Sequence, residues 1–111
     1  MTDETWNVFK IEELVRGIDT REPRFFEFLH TSSLSCAIYH LPAGARDMQA
    51  PHHEDEVYFV VAGRATLKVG AQERHVGPGH ILFVKATTEH SFFRIEEDLT
   101  LIAVFGPHGP L

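Results

Sequence analysis

Side chains that can bind a metal ion or move a proton are concentrated in His52-His53-Glu54-Asp55-Glu56-Val57-Tyr58. Successive side chains of an extended segment point to opposite faces, so His52, Glu54, Glu56, Tyr58 and Val60 share one face and His53 and Asp55 the other. Tyr58 and Val60 have the character of core residues. The pattern therefore predicts that Glu56 points inward, that His52 does so four residues earlier, and that His53 faces solvent; one bulge would reverse the assignment. A buried carboxylate is costly unless paired or bound to a cation. With a neutral imidazole nitrogen beside it, it makes half of a site for a divalent transition metal. The alternative is that this acidic stretch is a solvated polar loop. A further histidine, His90, opens the run Ser91-Phe92-Phe93 with Phe92 on its own face. Taken alone, a histidine at a strand start is more often structural than a ligand.

The elements that would position these groups are mostly strands. Val8, Ile11, Leu14 and Val15 have helical spacing, which predicts one short helix over Val8 to Arg16 ending at Gly17. Pro23 then starts an extended run, Arg24 to His30, with Phe25, Phe26 and Phe28 placing apolar groups on both faces. Such a strand is usually covered on both sides, here by the helix or by a second subunit. Further strands are predicted at Leu34 to Leu41, Val57 to Ala62, Ala65 to Val69 after a turn at Gly63, Gln72 to Val76, Ile81 to Val84, Ser91 to Ile95 and Leu99 to Phe105. Gly70-Ala71 and Gly77-Pro78-Gly79 are turns. Many short strands punctuated by Gly and Pro, with no alternating helices, indicate an all-β sandwich or barrel. No internal repeat or low-complexity tract interrupts them.

The 111 residues, 43% hydrophobic and 23% charged, suit a single globular domain. A chain of this size can bury roughly 65% of its unfolded surface, so folding requires no disulfide or structural metal. A net charge of −6 with scattered basic residues argues against a nucleic-acid partner or an anionic membrane. No apolar run approaches the roughly 20 residues that span a bilayer. The start, Met1-Thr-Asp-Glu, lacks a basic-then-apolar signal pattern, and the single cysteine, Cys36, cannot form an internal disulfide and reads as a small core residue. A cytoplasmic protein is expected. Eight histidines spread from His30 to His108 keep the metal question open.

Gly44 through Gly63 resembles the first cupin motif, in which a glycine leads to His-x-His, a glutamate and, seven residues later, a glycine. Glu56 and Gly63 have that separation, and His52 stands where the second motif histidine belongs. Gly79 through Arg94 resembles the second motif, with Gly77-Pro78-Gly79 as its turn and His90 as its histidine. The resemblance spans about Leu34 to Phe105 and implies an antiparallel β-barrel of cupin type (a double-stranded β-helix, or jelly roll) with one short N-terminal helix. In that frame, residues 1–33 pack on the barrel or a dimer interface, 34–105 form the barrel and 106–111 are a loose tail. The first histidine of His-x-His falls at Ala50, so one family ligand is missing; Gln49 and Asp47 are the nearest groups that could fill in, and an exposed loop glutamine is the alternative for Gln49. Lys85 and Arg94 stand where the family has a proline and an asparagine.

The resemblance implies that His52, Glu56 and His90 hold one divalent transition metal, with zinc, iron, manganese and nickel all compatible with two imidazoles and a carboxylate. Open coordination positions would then admit a substrate or O₂. Ligand loss could equally mean that the metal has been lost. Tyr58 and Phe92 are core aromatics that can line the pocket. Arg94 shares the parity of His90 and Phe92; if that face is interior it can clamp a substrate carboxylate, and otherwise it pairs with Glu96 or Asp98 at the barrel edge. His40 ends a strand whose faces are both partly apolar, so parity assigns it no side, whereas His75, His80 and His108 read as surface. Trp6, Phe9 and the Phe25 to Phe28 strand are more apolar than a monomer surface favours, and cupins commonly pair through their sheets, so a homodimer is expected. Two classes of function remain: a metal-dependent enzyme of dioxygenase, isomerase or decarboxylase type acting on a small polar or carboxylated molecule, and a non-catalytic module that binds a small molecule or sugar.

Overall fold

The computed structural model describes residues 5–47 and 53–106. Helix α1 spans Ile11–Arg16, and the strands are β1 (Arg24–His30), β2 (Ser35–Leu41), β3 (Asp55–Val69), β4 (Gln72–Val76), β5 (Ile81–Val84) and β6 (His90–Gly106). The helix is shorter than its apolar spacing predicts. Val8 precedes it, with its N–H donating to Asn7 Oδ1, and Lys10 is still extended at the N-cap. The larger difference lies in β3 and β6. Each was expected as two strands, and each is one continuous bent strand of 15 and 17 residues, respectively.

The bends explain the architecture. All pairing is antiparallel, in the order β1-β2-β6-β3-β4 with β5 also on β3. Residues 55–62 of β3 pair with 100–106 of β6 on one edge and with β5 on the other. Residues 64–69 pair with 90–97 of β6 and with β4. Register shifts between Val60 and Thr66 mark the bend, where Gly63 adopts φ +94° and Arg94 φ +48°. Beyond the bend the second half of the ladder folds over the first. One continuous core results, with Tyr39, Tyr58, Val60, Leu101 and Phe105 from one sheet against Leu67, Val76, Phe92 and Ile95 from the other. Tyr58 and Phe92 meet edge to face across it, with ring centroids 5.2 Å apart. This is the jelly-roll arrangement of two facing sheets.

Gly63 is at the bend because no side chain fits there. A Cβ would lie 2.2 Å from the Asp98 carbonyl oxygen and 2.7 Å from Leu99 Cα. Its positive φ is also one that glycine adopts without steric cost.

The outer face of the larger sheet is apolar across five strands. Phe26, Ile38, Ile102, Phe59 and Ile81 stand in register in one row, and Leu29, Cys36, Val104, Val57 and Phe83 in the next. The segment that includes α1 covers one end of this face, where buried His40 is bonded to the Thr20 carbonyl (Nε2, 3.0 Å) and to Thr100 Oγ1 (Nδ1, 3.1 Å). At the other end Ile81 is 70% and Phe83 65% exposed. No helix is long and apolar enough to cross a membrane among the described residues.

Candidate functional site

The interior between the two sheets contains a cluster of polar side chains drawn from four places in the chain. Strand alternation turns Glu56 and Tyr58 of β3 inward, while Val57 and Phe59 face out. On β6 the same alternation turns His90 and Phe92 inward. Because β3 and β6 bend together, Glu56 near the start of one strand comes to face His90 at the start of the other. Glu56 is 1% exposed, and its Oε1 lies 3.1 Å from His90 Nε2. The Tyr58 hydroxyl is also 3.1 Å from that nitrogen.

The second ring nitrogen fixes the histidine. Nδ1 of His90 lies 2.8 Å from the Thr88 carbonyl oxygen. A carbonyl only accepts, so Nδ1 carries a proton and donates it, leaving Nε2 as the nitrogen with a lone pair in the neutral ring. Thr87, with φ +64°, sits in the turn that brings Thr88 there. Burial pushes the His90 pKa down. The close approach of the Glu56 carboxylate, the bond to Thr88 and the charges of Glu56 and Asp47 together outweigh it and hold the pKa above the ordinary value.

Asp47 is the fourth contributor. One carboxylate oxygen accepts a short hydrogen bond from the Tyr39 hydroxyl on β2, and the other accepts from the Phe92 N–H on β6 at 2.8 Å. The loop after β2 is thereby tied to both sheets beside Glu56 and His90. Burial first, then the bond to Asp47 and its charge, raise the Tyr39 pKa far above the usual phenol value, so Tyr39 is a proton donor here.

Whether these groups fit a cation can be tested on Glu56. Neither of its carboxylate oxygens has a hydrogen bond of good geometry among the described residues, although Oε1 lies within ion-pair distance of His90. A buried carboxylate left in that condition is expensive. An imidazole lone pair aimed at a carboxylate oxygen also requires a proton or a cation between them. Two donors each about 2.1 Å from one ion are about 3.0 Å apart at right angles and about 3.4 Å apart at the tetrahedral angle. The observed 3.1 Å falls in that range. Glu56 and His90 thus fit as two ligands of one divalent ion, and no group of three His, Cys, Asp or Glu side chains forms among the described residues.

The sequence-derived candidates are placed as follows. Glu56, His90, Tyr58 and Phe92 come together. His52, Gln49 and Ala50 lie outside the described residues, as do Met1 to Glu4 and the tail from Pro107 that contains His108. Glu54, expected on the Glu56 face, is exposed, because the chain bends at residues 53–54 before β3 begins. Arg94 does not reach the interior. Its positive φ breaks the alternation after Phe92, and the exposed guanidinium lies over the outer Phe93 ring, 5.1 Å from its centroid. It therefore lies outside the interior between the sheets and, among the described residues, forms no ion pair with Glu96 or Asp98. Sequence reasoning saw Asp47 only as a stand-in for the missing histidine. Its role as a clamp depends on Phe92 N–H, which no side-chain pattern reveals.

Comparison with known proteins bears on the fold and the family. An uncharacterized protein of Streptomyces coelicolor is 39% identical over 99 residues, covering 89% of this chain and 94% of that one. A solved structure from Thermus thermophilus superposes with a TM-score of 0.78 at 20% identity, over 92% of this chain and 98% of the other. The DMSP lyase DddQ of Ruegeria pomeroyi superposes with a TM-score of 0.72 at 22% identity over 81% of this chain; the match spans only 48% of that enzyme. The family model described as the cupin domain matches residues 37–105. That range runs from β2 to β6 and contains Glu56, His90 and the bends that bring them together, so the chain belongs to the cupin domain family.

Proposed function

We propose that this chain is a metal-dependent cupin enzyme of dioxygenase, isomerase or decarboxylase type that acts on a small polar or carboxylated molecule. The observation that carries this reading is Glu56, a fully buried carboxylate without a well-formed hydrogen bond, whose Oε1 faces the lone pair of His90 Nε2 at 3.1 Å. Glu56 and His90 would hold the ion, with His52 as the third ligand. Zinc, iron, manganese and nickel all suit that donor set. When bound, the ion supplies Lewis acidity to an oxygen of the substrate.

The remaining residues do work of their own. Thr88 orients the His90 ring, as the partners of metal-binding histidines commonly do. The Tyr58 hydroxyl lies 3.1 Å from His90 Nε2 and closes that side of the site. The rings of Tyr58 and Phe92, both fully buried, exclude water from one side. That one superposable cupin, DddQ, is a lyase gives the enzyme reading a precedent in this fold, although fold alone does not fix function.

The test is metal analysis of untagged wild-type protein beside His90→Ala and Glu56→Gln. The wild type should hold close to one transition-metal ion per chain, and each variant should lose most of it while retaining its far-UV circular dichroism. A wild type that neither carries nor takes up an ion would overturn the proposal and leave the non-catalytic binding module.

We also propose that two chains pair through the apolar outer face of the larger sheet. Val57, Phe59, Ile81 and Phe83 are all at least 37% exposed there, and sheet faces of this composition are buried in stable assemblies. Light scattering should give the mass of a dimer, reduced to that of a monomer by Phe83→Glu. A monomeric wild type refutes the pairing.

A further inference from the structure

The bend in β3 has a second consequence. β5 follows the first half of β3 and β4 the second, so the two short strands diverge from their connecting turn and leave a wedge between them. Their outward edges carry no strand partner among the described residues. The wedge is a cleft of about 690 Å³, within the 300–1,000 Å³ usual for small-molecule sites.

The register defines what the cleft presents. Leu67 lies opposite Phe92, Val69 opposite His90, and Leu82 opposite Tyr58. Directly opposed residues of an antiparallel pair project from the same face, so the floor of the cleft consists of the immediate neighbours of the polar cluster. Val69 and Leu82 are only partly buried and pack on the core. On β4, Gln72 lies opposite Val69 and Arg74 opposite Leu67, which turns both to the same side. Arg74 is exposed, with no ion pair or hydrogen bond from its guanidinium among the described residues. Arg74 is the one permanently charged side chain of the described lining, which has no aspartate or glutamate, and His75 lies 3.9 Å from the Glu96 carboxylate beside it. In a chain of net charge −6, this is a local cationic site over an apolar floor.

We propose that this wedge binds a small amphipathic monocarboxylate. Its carboxylate pairs with the Arg74 guanidinium, its apolar portion lies on Leu67, Val69 and Leu82, and Gln72 offers a further hydrogen bond. The planar fork of arginine suits a carboxylate, which it can bind bidentately. The site names a substrate class for the enzyme proposed above and in that respect rests on that reading; the binding itself does not require the metal.

Titration of ¹⁵N-labelled protein with hexanoate, and with hexanamide as the uncharged control, tests the proposal. A ligand of this size reaches a Kd of roughly 1 mM. Hexanoate should shift the amides of Leu67, Val69 and Leu82 saturably, and Arg74→Gln should weaken it by about tenfold to a hundredfold. Hexanamide should bind more weakly and equally to both proteins. Equal hexanoate affinity in Arg74→Gln, shifts confined to other residues, or no saturable shift by roughly 20 mM would overturn the assignment. The same titration on His90→Ala separates the two proposals. Retained hexanoate affinity supports the cleft whatever the metal content. Affinity lost in His90→Ala and kept in Arg74→Gln moves the carboxylate to the metal, which refutes the role of Arg74 and leaves the metal site standing.

Discussion

Gly63→Ala tests the mechanism that brings Glu56 opposite His90. Two costs act at this position. An L-residue in the left-handed region loses about 1–2 kcal/mol, and forcing a methyl group into filled space costs about 1–3 kcal/mol. The new Cβ would lie 2.2 Å from the Asp98 carbonyl oxygen and 2.7 Å from Leu99 Cα. Both are backbone atoms, so relief requires β3 and β6 to separate where they bend. Reduced freedom of the unfolded chain offsets about 0.4–1 kcal/mol. The net expectation is a loss of about 3 kcal/mol, or about 10–20 °C in Tm for a chain of this size. Gly70→Ala is the matched control, since Gly70 also has positive φ, +59°, but no atom lies within 4 Å of the added Cβ; it should lose about 1 kcal/mol. Urea unfolding followed by circular dichroism measures both. Equal losses in the two variants, within about 0.5 kcal/mol, would mean that close approach at the bend contributes nothing.

Other consequences can be checked with the same protein. Asp47→Asn should cost about 1–3 kcal/mol in urea unfolding, because it weakens the acceptor for both Tyr39 and the Phe92 N–H; Tyr39→Phe removes only the first bond and should cost less. In metal-free protein the pKa of His90 is raised on folding. Protonated His90 therefore contributes stability that is fully present below the unfolded-state value of about 6.5 and is lost as pH rises through the higher folded value. Urea melts of chelator-treated protein should show this decline, and Glu56→Gln should flatten it. Metal must displace the same proton, so metal affinity should fall as pH drops below the folded His90 value, as competition with a chromogenic chelator would reveal.

Parity carried much of the site reading. Glu56, Tyr58, His90 and Phe92 occupy regular strand positions; a period of two turns Glu56 and Tyr58 inward and sets His90 on one face with Phe92, but does not say which side that face takes. It failed where the backbone departs from a regular strand. At Arg94 a left-handed non-glycine residue reverses the alternation, and no residue type announces it. Gly63 was legible as special but not as a bend rather than a turn, because both require the same positive φ. The polar Glu96-Glu97-Asp98 looks like a loop, yet Glu97 still pairs with Arg64 in the ladder. Asp47 was obscure for a different reason: its partners are a hydroxyl eight residues away and a main-chain N–H 45 residues away. Only folding brings them together.

The two bends lie at one level of the ladder, where Arg64 of β3 pairs with Glu97 of β6. Their side chains, both exposed, form an ion pair of 3.4 Å, and Arg94 and Asp98 are exposed as well. A pair so exposed adds little stability, so polarity there serves another need. A sharply bent ladder turns bend residues outward, where water can solvate main-chain groups that the disrupted register leaves unpaired. The inner side stays apolar, with Val60 and Leu99 fully buried. In that low-dielectric interior the charge of Glu56 is poorly screened, which makes a proton or a cation at His90 Nε2 energetically important. The bends thus determine both where the carboxylate sits and how strongly it requires a counterion. Arg64→Ala, which removes only the exposed pair, should leave the metal content unchanged, whereas a folded Gly63→Ala protein should hold less metal than the wild type.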